Sequence, residues 1–555
     1  MDGEGPARVT RWGSIVLAVL LVPIGWGLHF TDLEFIPGIN GDEAQYGALA
    51  MARGDDPATT REYFGPYFVR MVEWSIRLLG ATPTALRLPS ALAAAVVPAV
   101  AALALARGAG LIAGATFGLL LLVHPALLVF GRLGWDASLL PASVVLLLLT
   151  LRAWCAPPHR PAYLVAAALL AGLCVSFHPT GWLAMPAAAV AAVAGFMELA
   201  RARGRAGAPP RAALRVGLVA GGAAFAVFLV AARGVLPALP RLLGLGDEGI
   251  RALSAARPPT DLAELVTGGV AIRWITGEPP LPPALATILA ALTLLLSGVG
   301  LALGLLSKRG GERGAALFAT LHLAVGFAAI PRTDLAPPGN VRYAVALFPS
   351  LLYGAARAPD LVKEALAGRR SSRAAGIAAR VGVAALVLAG LWAWRASYWR
   401  PLHDAATAAE NTFVPGPRTD AKLAAIRAIG ARQREDGEPR AAIVARDWNL
   451  FHSARYFSER RLPVLRIDAF TPEEFVPRLQ SLFTDRDRLY VLVFERFAGE
   501  EEALVHYLAA RLSGAAVVGR DTIPDLRGKN IVSTYRIERG PSGGGLPANA
   551  QSSGG

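Results

Sequence analysis

The sequence predicts an α-helical polytopic membrane protein that ends in a small α/β domain, and three observations predict it. Hydrophobic residues make up 54% of the 555-residue chain and charged residues only 17%, with a mean hydropathy of +0.44, whereas a soluble domain carries about a quarter charged residues. Apolar runs of about 20 residues, the length that crosses a hydrocarbon core, recur from the N-terminus to about residue 397 and then stop. Beyond them, short β-branched and aromatic runs alternate with helical ones. A single soluble enzyme, a disordered chain and a secreted disulfide scaffold are excluded. The two cysteines, Cys155 and Cys174, fall near opposite ends of different apolar runs, too far apart to pair.

Eleven segments read as spans: 12–30, 84–106, 109–129, 137–154, 161–177, 180–197, 214–233, 282–306, 314–331, 341–358 and 380–398. Alternate connections between them are short and basic, from Arg8 and Arg11 through Arg107, Arg152, Arg160, the Arg201–Arg215 group and Lys308–Arg313 to Arg357–Arg380. Together they hold 19 Lys and Arg against six acids, Asp2, Glu4, Glu198, Glu312, Asp360 and Glu364, and so carry nearly all of the net charge of +14. With eleven spans every basic connection falls on one side, which the positive-inside bias makes the cytoplasm. The basic balance therefore gives no reason to expect nucleic acid as a partner. The N-terminus is expected inside, and the first span is read as a retained anchor rather than a cleaved signal. Loops 31–83 and 234–281 and the chain after 398 are expected outside. The expected setting is a bacterial inner membrane with a periplasmic C-terminal domain.

The expected divisions are a transmembrane domain over 1–398, an extracytoplasmic α/β domain over 399–539 and a disordered Gly/Ser/Asn tail over 540–555. In loop 31–83, Tyr67, Phe68, Met71, Val72, Ile76 and Leu79 recur at helical spacing with Arg70, Glu73 and Arg77 on the other face. That pattern predicts a helix lying along the membrane surface. In the tail, a helix is expected over Thr419–Glu435, with Leu423, Ile426, Ile429 and Gly430 on one face. Strands are expected at Ala441–Ala445, Pro463–Ile467, Leu489–Phe494 and Ile531–Ile537, and helices at Pro472–Phe483 and Glu500–Leu512.

Polar residues concentrate in the outer loops. Asp42 and Glu43 open a helical stretch, where they serve as an N-cap with its first-turn acid, as a catalytic pair, or as both. Arg132 and Asp136 stand four residues apart, which fits a local ion pair as well as a substrate contact. His178 sits at a Pro-capped helix end, a position that is often structural. Arg332, Asp334, Asn340, Arg342 and Tyr343 follow the ninth span, and Arg342 there either snorkels or binds an anion.

Several of these residues together resemble the GT-C membrane glycosyltransferases, in particular the bacterial group related to protein mannosyltransferases and aminoarabinose transferases. The resemblance rests on Gly41-Asp42-Glu43-x-x-Tyr46, Gly65-Pro66-Tyr67-Phe68, Thr84-Ala-Leu-Arg87-Leu-Pro-Ser90 and the segment Gly131-Arg132 to Asp136, and covers about the first 180 residues. It implies transfer of a sugar from a polyprenyl-phosphate donor to a glycan, lipid or protein acceptor at the outer leaflet, with Asp42 as catalytic base and inversion at the anomeric carbon. Glu43 and Asp136 are the further acidic candidates. Tyr46, Tyr67, Arg70, Arg132, His178, Arg342 and Tyr343 are candidates for substrate binding. Aminoarabinose transferases carry a Lys where this chain has Gly65, so another cation must meet the carrier phosphate, and Arg342, Arg132 and Arg70 are the candidates in that order. No cofactor or metal is expected, because Arg alone can neutralise a phosphate.

Two other classes fit less well. A multi-span transporter should carry ionisable residues at mid-membrane, where these spans are nearly pure Ala, Leu, Val and Gly. A lipid-linked glycan polymerase or ligase would place its largest outer loop late rather than first.

Overall fold

The computed structural model describes residues 5–52, 65–205, 210–233, 262–329, 338–369, 371–404, 411–437, 440–459, 461–467 and 472–539. The turn at Gly54–Pro57, most of loop 234–281, Arg332, Asp334 and the tail 540–555 lie outside the described residues. The chain forms two compact units, one of Met1–Leu33 with Ala52–Glu410 and one of Glu34–Met51 with Asn411–Gly555.

The first unit is a helical membrane bundle. Each of the eleven apolar segments contains helix. Among the described residues, six helical stretches are long and apolar enough to cross a bilayer, namely Trp12–Phe30, Pro83–Ala109, Asp136–Trp154, Pro179–Gly204, Pro283–Leu305 and Ser372–His403. Leu111–Val123, Pro161–Phe177 and Leu218–Ala232 are shorter apolar helices. Asp136–Trp154 is the central one: 72% of its apolar window is buried, against 22% in Trp12–Phe30 and 17% in Ser372–His403. The outer helices instead expose Trp12, Val19, Leu20, Leu218, Val219 and Leu388, which only hydrocarbon would cover without cost. The protein is a multi-pass membrane protein.

Charged side chains meet inside this bundle on four helices, at their basic side. Glu312, in helix Gly310–Ala329, accepts Arg152 Nη2 at 2.5 Å and Arg357 Nε at 3.0 Å, and the Tyr353 hydroxyl at 3.0 Å. Arg313 pairs with Glu198. Read as sequence, these residues only set the sidedness; folded, they tie helices together.

The amphipathic helix of the first loop forms over Pro66–Leu79. Phe68, Val69, Val72 and Ser75 are buried, Met71, Trp74 and Leu78 are exposed, and Arg77 pairs with Glu73 at 2.5 Å. The helix is therefore apolar on two sides, one facing the bundle and one left for another apolar phase.

The second unit carries a five-stranded sheet of order β2-β1-β3-β5-β4, with β1 Ala441–Ala445, β2 Val464–Arg466, β3 Arg488–Phe494, β4 Ala515–Pro524 and β5 Asn530–Arg539. β1 runs parallel to both β2 and β3, while β5 is antiparallel to β3 and β4. Val444, Val491, Leu479, Phe483, Leu508 and Ile537 belong to its core. Helix Ala421–Glu435 buries Leu423, Ile426 and Ile429 as its periodicity predicts, and Asp420 caps it, accepting from the Lys422 and Leu423 amides. Two elements go beyond the sequence expectation. The edge strand β4 holds Gly519, Arg520 and Asp521, and its charges suit a sheet edge. Helix Trp448–Phe457 is the connection from β1 to β2, as a parallel pair requires.

Candidate functional site

In the second unit the site is built around the start of helix Gly41–Ala52. Asn40 Oδ1 accepts the Glu43 amide at 2.9 Å, and Glu43 Oε2 accepts the Asn40 amide at 3.1 Å. This reciprocal pair is a capping box, so Asn40 rather than Asp42 is the cap. Glu43 is fully buried and its carboxylate is engaged at the helix start. Asp42 is half-buried, and its Oδ1 accepts the indole Nε1–H of Trp448 at 3.2 Å. Tyr46, also half-buried, lies one turn further on the same face.

Backbone contacts hold this segment against the C-terminal part of its unit. The Gly38 amide donates to Phe413 O at 2.8 Å, the Ile39 amide to Asp420 Oδ2 at 2.6 Å and the Gly41 amide to Asn449 Oδ1 at 2.7 Å. Gly41 is also where a Cβ would collide with the Trp448 ring, so no larger residue packs there without a shift. Trp448 and Asn449 open the helix that leaves the carboxyl end of β1, and Asp447 caps that helix through the Asn449 amide at 2.7 Å. Strand order reverses at β1, between β2 and β3, and the crevice outside such a reversal is where parallel sheets place their ligands. Asp42 is thus set by residues some 400 positions away in sequence, as its separation of 406 from Trp448 shows. Sequence reading missed Asn40, Asp420, Trp448 and Asn449. Only the Asn40-x-x-Glu43 spacing and Asp447 ahead of a helix carried a local signal.

The first unit brings together a second set of residues. Asp136 is buried at the start of helical segment Asp136–Leu139, its Oδ1 accepting the Ala137 amide at 2.7 Å. Gly65, with φ of 99°, begins the amphipathic helix beside it, and a Cβ at that position would lie 2.9 Å from Asp136 Cβ and 3.1 Å from Oδ2. The left-handed backbone and the closeness of Asp136 together account for glycine here. The Arg342 guanidinium lies 5.2 Å from the Trp135 ring and 5.1 Å from the Tyr343 ring, and donates to the Tyr343 hydroxyl at 3.3 Å. Both contacts are in the cation–π range. The His178 ring is 5.8 Å from that of Tyr343, and Trp274 lies 5.0 Å from Trp135. His178 Nδ1 accepts the Thr180 amide at 3.2 Å, which leaves the proton of the neutral ring on Nε2. Burial and the neighbouring Arg342 keep that ring neutral, its pKa pushed down to about 3. A cation, a carboxylate, an imidazole and a phenol thus share one aromatic-walled region.

The remaining candidates separate from this region by environment. Arg132 is fully buried, donating to Leu28 O at 2.9 Å and Thr31 O at 2.7 Å at the end of the first helix, with Trp394 and Trp399 over its guanidinium. It acts as a helix C-terminal clamp. Arg70 is exposed and Tyr67 half-buried on the amphipathic helix. Among the described residues, no group of three or more His, Cys, Asp and Glu is placed to hold a metal ion.

Solved structures with this architecture include ArnT from Cupriavidus metallidurans. Bound to undecaprenyl phosphate, it matches with a TM-score of 0.55 at 15% identity over 94% of this chain and 97% of that one. In the apo state it matches with a TM-score of 0.53 at 14% identity over 95% and 98%. The chain has the GT-C fold. The archaeal oligosaccharyltransferase AglB from Archaeoglobus fulgidus matches at a TM-score of 0.48 and 14% identity, over 90% of this chain and 71% of that one. No family model and no curated protein matches. The GT-C likeness to ArnT runs through both units of the chain, since it covers all but a few per cent of it.

Proposed function

We propose that this chain is an integral membrane glycosyltransferase that moves a sugar from a polyprenyl-phosphate carrier to a glycan, lipid or protein acceptor on the extracytoplasmic side, with inversion at the anomeric carbon. The GT-C fold supports the reaction class, and the similar ArnT structure bound to undecaprenyl phosphate supports the carrier. The observation that carries the reading is the division of labour between neighbouring carboxylates: Glu43 closes the capping box, while Asp42 takes an indole hydrogen bond at a helix start. A hydroxyl acceptor needs partial proton removal as it attacks the anomeric carbon, and Asp42 is the base for that step. Asp136 orients substrate, and Tyr46 and Tyr67 offer hydroxyls and rings to sugar. Arg342 meets the carrier phosphate, with Tyr343 and neutral His178 as further donors. The engagement of Arg132 with two backbone carbonyls and the exposure of Arg70 favour Arg342 over both. The test of the function is a lipid extract of cells lacking the protein. An accumulated polyprenyl-phosphate sugar is the expected result, and an unchanged lipid profile would contradict the reading.

For Arg342→Ala, donor affinity in detergent should fall by about one to two decades, the equivalent of a charge-assisted contact worth about 1.5 to 3 kcal/mol. Arg342→Lys keeps the charge without the planar fork and should recover only part of that affinity. Unchanged donor binding in Arg342→Ala beside a clear loss in Arg132→Ala or Arg70→Ala would move the phosphate to that other arginine.

The proposed orientation rests on the basic connections. A reporter active only outside the cytoplasm should be active when fused after Phe457 and silent after Arg205. The reverse pattern would overturn every assignment of side.

A further inference from the structure

The second unit holds a cavity of about 840 Å³ at the edge of the sheet opposite to the one that carries Asp447, Trp448 and Asn449. Its walls come from residues at the amino ends of the parallel strands, Arg440 before β1, Pro463 before β2 and Arg486 before β3, and from helix Ala421–Glu435. Among the described residues, the charged lining is Arg427, Arg434, Arg440, Arg461 and Arg486 against the acid Glu459. Arg461 pairs with Glu459 at 3.1 Å, and Arg440 lies 3.6 Å from Asp487. Among the described residues, Arg427, Arg434 and Arg486 have no acidic partner.

The helix face explains the hollow. Arg427, Gly430, Ala431 and Arg434 stand at positions i, i+3, i+4 and i+7, so they share one side. Two small residues separate two arginines, leaving a recess between two guanidinium groups, and Phe457, Leu462 and Pro463 supply apolar wall. By contrast Arg432, on another face of the same helix, is ion-paired with Asp521. Like charges gathered in excess of the acids beside them repel one another and raise the local potential, which an anion relieves. Guanidinium forks match phosphate and carboxylate oxygens in pairs. The volume falls in the range of pockets that enclose a small molecule.

We propose that this cavity is a binding site for an oligoanion, a ligand presenting two or more phosphate or carboxylate groups, and that Arg427 and Arg434 are its principal contacts. The site does not depend on the transfer reaction, and its test needs no sugar donor.

Inorganic pyrophosphate titrated calorimetrically into the full chain in detergent should bind saturably, one per chain, and more weakly as salt screens the arginines. The double variant Arg427→Gln/Arg434→Gln should lose about tenfold or more per arginine, the double Lys variant should regain part of that loss, and Arg432→Gln should bind like wild type. Repeating the titration in nanodiscs separates two sources of the same chemistry. Binding abolished by anionic lipid but kept in neutral lipid identifies a lipid headgroup as occupant, whereas binding kept in both identifies a soluble anion. Absence of saturable binding to the wild-type chain, or an affinity unchanged in the double Gln variant, overturns the proposal.

Discussion

Asp42→Asn is expected to stop sugar transfer, lowering turnover by about two to four decades in a protein that still inserts and still binds donor. The amide retains an oxygen that can accept the Trp448 indole proton, so the geometry of the helix start is preserved while the capacity to take a proton from the acceptor is lost. The capping box is untouched, because Asn40 and Glu43 close it without Asp42. Glu43→Gln is the informative companion. Its amide oxygen can still accept the Asn40 amide hydrogen, so the helix start should weaken by no more than the roughly 1 kcal/mol that a cap is worth, and most turnover should remain. Turnover of the purified variants with a polyprenyl-phosphate sugar distinguishes the two carboxylates. Near-normal turnover in Asp42→Asn would remove Asp42 as the base, and a loss in Glu43→Gln as large as that in Asp42→Asn would assign the chemistry to the pair.

The contrast between these carboxylates also shows what a sequence can and cannot reveal. Apolar runs, basic connections and the amphipathic stretch over Pro66–Leu79 are local patterns, and helix forms in each apolar run and in the amphipathic stretch. The capping box is local as well, and the spacing Asn40-x-x-Glu43 announces it. The identity of the residue bonded to Asp42 could not be announced in this way: Trp448 follows β1 in a helix whose existence depends on β1 and β2 pairing in parallel. Arg132 illustrates the opposite error. Four residues from Asp136, it reads as an ion-pair partner or a substrate contact, yet its guanidinium reaches the Leu28 and Thr31 carbonyls a hundred positions earlier. A short polar segment between apolar runs advertises that charge is present without saying what satisfies it. β4 was hidden for a related reason, since an edge strand with Gly519, Arg520 and Asp521 lacks the apolar alternation by which inner strands are recognised.

Gly65 joins the local and the long-range readings. Its departure from the lysine of aminoarabinose transferases is visible in sequence, but its cause lies in the fold, where the Asp136 side chain is already in contact with the position a Cβ would take. A side chain there would have to adopt a positive φ and displace Asp136. The cation in this region is instead Arg342, brought from a distant helical turn onto Trp135, the residue next to Asp136.

The largest loss of stability is expected from Glu312→Ala. Arg357 and Glu312 are each only 1% exposed in their side chains and Arg152 is 12% exposed, so the Glu312 carboxylate is the counter-charge of two guanidinium groups shielded from water. Removing it leaves those cations without their bidentate partner and also deprives the Tyr353 hydroxyl of its acceptor. Breaking a buried ion pair from one side costs about 3 to 5 kcal/mol, more than the pair itself contributes, because the remaining charge must be resolvated or must distort the bundle. The helices carrying Arg152, Glu312 and Arg357 are those of the central bundle, so the loss should appear as a lower midpoint of denaturant unfolding in mixed micelles rather than as local fraying. Asp360→Asn is the comparison: Asp360 also meets Arg357, at 3.2 Å, but is 21% exposed, and water can replace it, so its loss should cost about 1 kcal/mol or less. Glu312→Gln should fall between the two, since an amide can still accept hydrogen bonds but removes the negative charge that Arg152 and Arg357 share. A Glu312→Ala protein as stable as Asp360→Asn would show that the two arginines reach water, and that the bundle does not rely on this buried charge for its packing.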